Sequence, residues 1–93
     1  MAIFRLNKVL EATGQKNRIN IQEMVQAGML TEPISIGYND VSRMVGWPDF
    51  EVQAVVAAQI SGKSKDEIRA LVKQLHAKRA NHLNTVMAEM AGA

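Results

Sequence analysis

The side chains in this chain best suited to chemistry are amides and guanidinium groups. The run Gln15-Lys16-Asn17-Arg18-Ile19-Asn20, followed by Gln22, gathers the types that form paired hydrogen bonds to base edges in a DNA major groove. Arg matches guanine O6 and N7, and Asn or Gln matches adenine N6 and N7, because each offers two polar atoms in one plane at the base-edge spacing. Lys16 and Arg18 also suit phosphates, since each neutralised phosphate releases condensed counterions. Gln22 and Gln26 lie further along the same helical face, whereas Glu23 would repel phosphates and is expected to point elsewhere. Arg43 stands near the turn residues Tyr38-Asn39-Asp40, where a narrow minor groove would attract it, although Asp40 works against close phosphate contact. The candidate DNA-binding residues are therefore Lys16, Asn17, Arg18, Asn20, Gln22 and Arg43.

Other chemistries find no support in the spacing. His76 and His82 are six residues apart, so on one helix they cannot form the i, i+3 or i, i+4 pair of a helical metal site. Both are expected to be exposed on a polar face. Gly62-Lys63-Ser64 looks like the end of a phosphate-binding loop, but Ala57 occupies the position where that loop needs a glycine, and a helix rather than a strand precedes it. There is no cysteine, which excludes disulfides and thiolate zinc sites. The sequence thus offers no catalytic residue, metal or cofactor, and an enzyme is not expected.

These side chains need elements to position them. Residues 5–12 carry Leu6, Val9 and Leu10 at helical spacing, with Asn7 as the candidate cap and Thr13-Gly14 as the stop. A second helix is predicted over about 18–27, with Ile21, Met24 and Val25 on one face and Ala27-Gly28 closing it. Two short helices joined by a few residues form a helix-turn-helix signature, whose second helix presents its N-terminal residues to the major groove. Pro33-Ile34-Ser35-Ile36-Gly37 then alternates apolar and polar residues, Tyr38-Asn39-Asp40 supplies a turn, and 41–47 reads as a second strand. Such a hairpin directly after a helix-turn-helix reads as a wing.

Trp47, the only tryptophan, is expected to anchor the core at the base of that wing. Pro48 stops the strand and opens a third helix carrying Val52, Val55, Val56 and Ile60, ended by Ser61-Gly62. Ser64 and Glu67 form a capping box for a fourth helix with Ile68, Leu71, Val72 and Leu75 on one face. Its spacing persists through Leu83, Val86, Met87 and Met90, and Ala91-Gly92-Ala93 should fray. The expected fold is mainly α with a small β-hairpin. A winged helix-turn-helix over 1–62 precedes a C-terminal amphipathic helix over 63–93, which either belongs to the same domain or serves oligomerisation.

Composition sets the outer bounds. Ninety-three residues make one domain, and a hydrophobic fraction of 47% argues against disorder. With only four aromatic residues, the core must be built from Val, Ile, Leu, Met and Ala. The net charge is only +2, but basic ends (Arg5, Lys8, Lys16, Arg18; then Lys63 to Arg79) flank an acidic centre, and DNA responds to local charge. No apolar run nears the roughly 20 residues of a membrane span. The start, Met1-Ala2-Ile3-Phe4-Arg5, lacks the layout of a signal peptide, so a cytoplasmic location without membrane contact is expected.

Several strings, taken in order, resemble the AlpA family of DNA-binding regulators. They are Phe4-Arg5-Leu6 through Val9 and Thr13-Gly14, the run Ile21 to Gly28, Pro33 to Gly37, Val45-Gly46-Trp47-Pro48 with Glu51-Val52, and Gly62-Lys63-Ser64-Lys65-Asp66-Glu67 through Val72. The resemblance covers residues 4–79. It implies a fold similar to the excisionase and MerR winged-helix group. It also implies a role in prophages and other mobile elements, as a transcription regulator or as an excision factor that bends DNA for an integrase. The family's reader positions fall on Lys16, Asn17, Arg18, Asn20 and Gln22. Gln22 stands where many relatives have Tyr, and the stretch between Gly37 and Val45 is longer than the family pattern.

A single small module buries only about 600–1,000 Å² on DNA, so homodimers or cooperative arrays on repeated sites are expected. The stripe Leu83, Val86, Met87 and Met90 is then either the contact surface or a face that packs back on its own domain. The alternative function is a protein–protein interaction module, an inhibitor or adaptor on a helix-turn-helix scaffold, because fold does not fix function.

Overall fold

The computed structural model describes residues 2–41 and 43–92. In chain order they form β1 (Ile3–Phe4), α1 (Leu6–Thr13), α2 (Arg18–Gln26), β2 (Ile34–Ser35), β3 (Val45–Pro48), α3 (Asp49–Ile60) and α4 (Lys65–Gly92). The fold is mainly helical, with a small antiparallel sheet in the order β1-β3-β2.

β2 and β3 form the expected pair, with Ile34 opposite Gly46 and Ser35 opposite Val45. The second strand is shorter than the 41–47 expected, beginning only at Val45, and Ser42 of that stretch lies outside the described residues. One further rung, Ile36 N–H to the Met44 carbonyl at 3.0 Å, ends the pairing and leaves a loop beyond it. The reason is local. Tyr38 is 94% and Val41 86% exposed, so no surface rewards burial of an alternating face there. Asn39 Oδ1 instead accepts the Val41 N–H, an Asx turn that competes with strand geometry. The strand stops at Pro48, as expected, and Pro48 is also the N-cap residue of α3.

β1 was not expected. Two residues are too short to show a period, and this strand is held from outside. Ala2 N–H donates to Asp49 Oδ2 at 3.0 Å, and Asp49 N–H donates to the Ala2 carbonyl at 2.8 Å. This sets Ile3 opposite Pro48 and Phe4 opposite Trp47. Gly46, between the two outer strands, is required by their approach. A Cβ there would lie 2.5 Å from Ile3 Cγ2 and 3.0 Å from the Phe4 carbonyl oxygen.

The strand also decides where α1 begins. The Lys8 and Val9 N–H groups both donate to the Arg5 carbonyl, so Arg5 is the N-cap and Asn7 lies inside the helix rather than capping it. α2 starts as its sequence predicts, with Asn17 Oδ1 accepting the Asn20 N–H at 3.0 Å. It ends in a Schellman motif: Gly28 N–H bonds Val25 O, Met29 N–H bonds Met24 O, and Gly28 takes φ +77°. The capping box of α4 is present, with Ser64 N–H to Glu67 Oε1 at 3.1 Å and Glu67 N–H to Ser64 Oγ at 3.2 Å. α4 includes Ala91 and Gly92, and Ala93 lies outside the described residues.

Val9, Ile21, Leu30, Trp47, Val52, Val55, Ile68, Val72 and Leu75 make one core to which all four helices contribute. Trp47 is the expected anchor, 4% exposed, with Nε1–H donated to the Thr31 carbonyl at 2.8 Å. At the end of the core the fully buried Glu51 of α3 receives Arg79 of α4. Arg79 Nε reaches Oε2 at 2.8 Å, and Nη2 bonds both Oε1 and the Glu32 carbonyl. Beyond this clamp α4 still meets the body through His82, stacked on Phe50, while Leu83 is 68%, Met87 55% and Met90 66% exposed and Val86 is half-buried. Among the described residues no helix is long and apolar enough to cross a membrane.

Candidate nucleic-acid interface

α2 buries Ile21 and half-buries Met24 and Val25, which turns the opposite side of the helix outward. Lys16, Asn17, Arg18 and Gln22 are exposed, and Asn20 is half-buried. The first turn of α2 holds no acidic residue, so the positive end of the helix is not offset locally. Among the described residues the ion pairs are Lys8–Glu11, Lys63–Glu67, Arg69–Asp66 and Arg79–Glu51; Lys16 and Arg18 enter none of them.

The individual roles differ from what the residue types suggest. Asn17 commits its carbonyl oxygen to the cap, leaving only its amide N–H groups to donate outward. Arg18 and Gln22, one turn apart, face a groove of about 480 Å³ between α2 and the start of β3, shared with Gln26, Pro33, Val45 and Trp47. Arg43 is exposed in the loop two residues before Val45 and is not among the residues that line that groove.

Two residues of the outward face were not foreseen. Ile19 is 60% exposed at the centre of that face, where an apolar side chain suits a thymine methyl group. Its exposure breaks the helical hydrophobic pattern, and that break was the available signal. Glu23, expected to point elsewhere, is also exposed, one turn beyond Ile19 on the same face. A carboxylate there disfavours phosphate but can accept from cytosine N4.

The histidines are engaged in the fold. His76 is half-buried rather than exposed, and its Nε2 accepts the Glu32 N–H at 3.0 Å. His82 is exposed but stacks on Phe50, with centroids 6.0 Å apart. Among the described residues no group of His, Cys, Asp or Glu is placed to hold a metal ion. A larger hollow of about 630 Å³ lies on the opposite face of the sheet, where Ile3, Ile34 and Phe50 meet Leu75, Lys78 and His82 of α4. No protein-family model, no curated protein and no solved structure matches the chain.

Proposed function

We propose that this chain is a sequence-specific binder of double-stranded DNA. On this reading α1 and α2 form a helix-turn-helix, α2 enters the major groove N-terminal end first, and the loop between β2 and β3 is a wing carrying Arg43 to the adjacent backbone or minor groove. One observation carries it: Lys16 just before α2 and Arg18 and Gln22 in its N-terminal half are exposed together, and among the described residues neither cation enters an ion pair. Cations beside planar amides on one helix suit phosphate and base edges together.

The chain's likeness to AlpA-type regulators adds a biological setting. It would be a transcriptional regulator or excision factor of a prophage or other mobile element, working on DNA in more than one copy and, as an excision factor, beside an integrase. The reading assigns no catalytic residue, metal or cofactor.

The test is selection of bound duplexes from a random pool, followed by equilibrium binding to the selected and to scrambled DNA at several salt concentrations. The selected duplex should bind at least about a thousandfold more tightly than scrambled DNA, with affinity falling as salt rises. Arg18→Ala should weaken binding about 5- to 150-fold and lower the salt slope by about one. Equal affinity for both duplexes contradicts the proposal.

A second reading, a protein-interaction module, is favoured by the exposed apolar residues Leu83, Met87 and Met90. It predicts salt-insensitive binding to a protein and no selected DNA.

A further inference from the structure

The apolar face of α4 does not stop where the body of the protein stops. Ile68, Val72, Leu75 and Arg79 turn toward the core, and Leu83, Val86, Met87 and Met90 continue that stripe into solvent. Thr85 is the last residue of α4 to line the hollow shared with Ile3, Ile34 and Phe50, which leaves residues 86–92 as an overhang of roughly 10 Å at 1.5 Å per residue, with Leu83 exposed one turn before it. We propose that this overhang pairs with the overhang of a second copy, antiparallel, about a two-fold axis between Val86 and Met87.

Sterics choose the direction. The stripe lies on the face that the body itself occupies further up the helix, so a parallel pair would drive the two bodies into each other. An antiparallel pair sends them to opposite ends. With the axis between Val86 and Met87, Leu83 meets the partner's Met90 and Val86 meets the partner's Met87, so every member of the stripe finds an apolar neighbour. The same register sets Gly92 of one helix beside Asn81 of the other.

Charge agrees with this register. Glu89 is the only carboxylate among residues 80–92, and it enters no ion pair among the described residues. His82 stacks through its ring face, and among the described residues its ring nitrogens make no hydrogen bond. Both lie on the same edge of the helix, and the two-fold axis brings His82 within two residues of the level of the partner's Glu89, an axial offset of about 3 Å, twice per dimer. Four apolar side chains per copy make a small interface, so the dimer is a weak one that forms at micromolar concentrations or above.

The inference stands apart from DNA binding, and its test contains no DNA. Sedimentation equilibrium of the full chain should show a reversible monomer–dimer equilibrium. Leu83→Asp should raise the dissociation constant at least tenfold while leaving the Trp47 fluorescence and the thermal melt of the body unchanged. Glu89→His and His82→Glu should each weaken the dimer several-fold, and their combination should restore it. The chain has no cysteine, so a nitroxide on Gln74→Cys, an exposed position of α4, reports direction cleanly. Antiparallel pairing predicts a spin–spin distance of roughly 40 Å at 1.5 Å rise per residue. A purely monomeric chain up to about 1 mM, a dimer indifferent to Leu83→Asp, or a spin–spin distance under about half the expected value would each overturn the proposal.

Discussion

Replacing Arg79 by Met should cost most of what this small body can spare. Glu51 is fully buried, and in the native protein its carboxylate takes two guanidinium hydrogen bonds from Arg79. The same guanidinium holds the Glu32 carbonyl, so one side chain ties the first turn of α3 and the segment before β2 to α4. Methionine fills much of the stem's volume but leaves the carboxylate without a partner. Removing one member of a buried pair typically costs about 3–5 kcal/mol. Arg79 retains 25% side-chain exposure, so water reaches that end and the low end, about 3 kcal/mol, applies. Small domains are stable by only about 5–15 kcal/mol.

Urea unfolding followed by Trp47 fluorescence measures this directly, since the one tryptophan is 4% exposed in the core and reports its loss. With a urea slope of about 1 kcal/mol per molar, the midpoint should fall by roughly 3 M or the protein should unfold outright. Glu51→Met combined with Arg79→Met should recover most of the loss, because an apolar pair of similar volume needs no desolvation of charge. A loss below about 1 kcal/mol for Arg79→Met, or a double variant no better than the single one, would refute the reasoning.

Three further outcomes follow from the same packing. Gly46→Ala should destabilise by about 1–3 kcal/mol through overpacking, since its methyl meets the Phe4 carbonyl as well as Ile3; a thermal melt checks it. Thr31→Val should raise stability by about 1 kcal/mol, because Thr31 Oγ1 is buried without a hydrogen-bond partner while its carbonyl, which holds Trp47, is untouched. The backbone N–H of Ser64, then its hydroxyl, and nearby Lys63 hold the Glu67 carboxyl below its ordinary value. A depressed folded value means that Glu67 contributes stability above its unfolded value and loses it as pH falls through the folded one, so Glu67→Gln should flatten the acid limb of the stability–pH profile.

Two helices carry punctuation that could be read locally. Gly28 closes α2, and Ser64 with Glu67 opens α4; these signals act within a few residues, whereas the Asn17 cap of α2 was hidden behind its reading as a base-contacting residue. The other shortfalls concern pairing at a distance. β1 is held by Ala2 bonding Asp49, 47 residues away, and α1 starts from an Arg5 cap rather than from Asn7. The Glu51–Arg79 clamp joins residues 28 apart, and neither looks unusual among its sequence neighbours.

The candidate interface shows the same division. Residue types alone drew attention to Lys16, Arg18 and Gln22, and these three stand exposed on one end of α2. The facing of Ile19 and Glu23 depended on which side of α2 meets the core, a choice made by Ile21 packing among residues of distant elements.

The most direct test of the DNA-binding account is a residue-by-residue map of the contact. Backbone amide chemical shifts of the full chain, followed during titration with a selected duplex, should move most at residues 15–23 and in the loop around Arg43. The core-facing residues of α3 should stay in place. If the duplex instead leaves α2 unmoved while shifts concentrate on the overhang of α4, the assignment of α2 as the reading helix is contradicted.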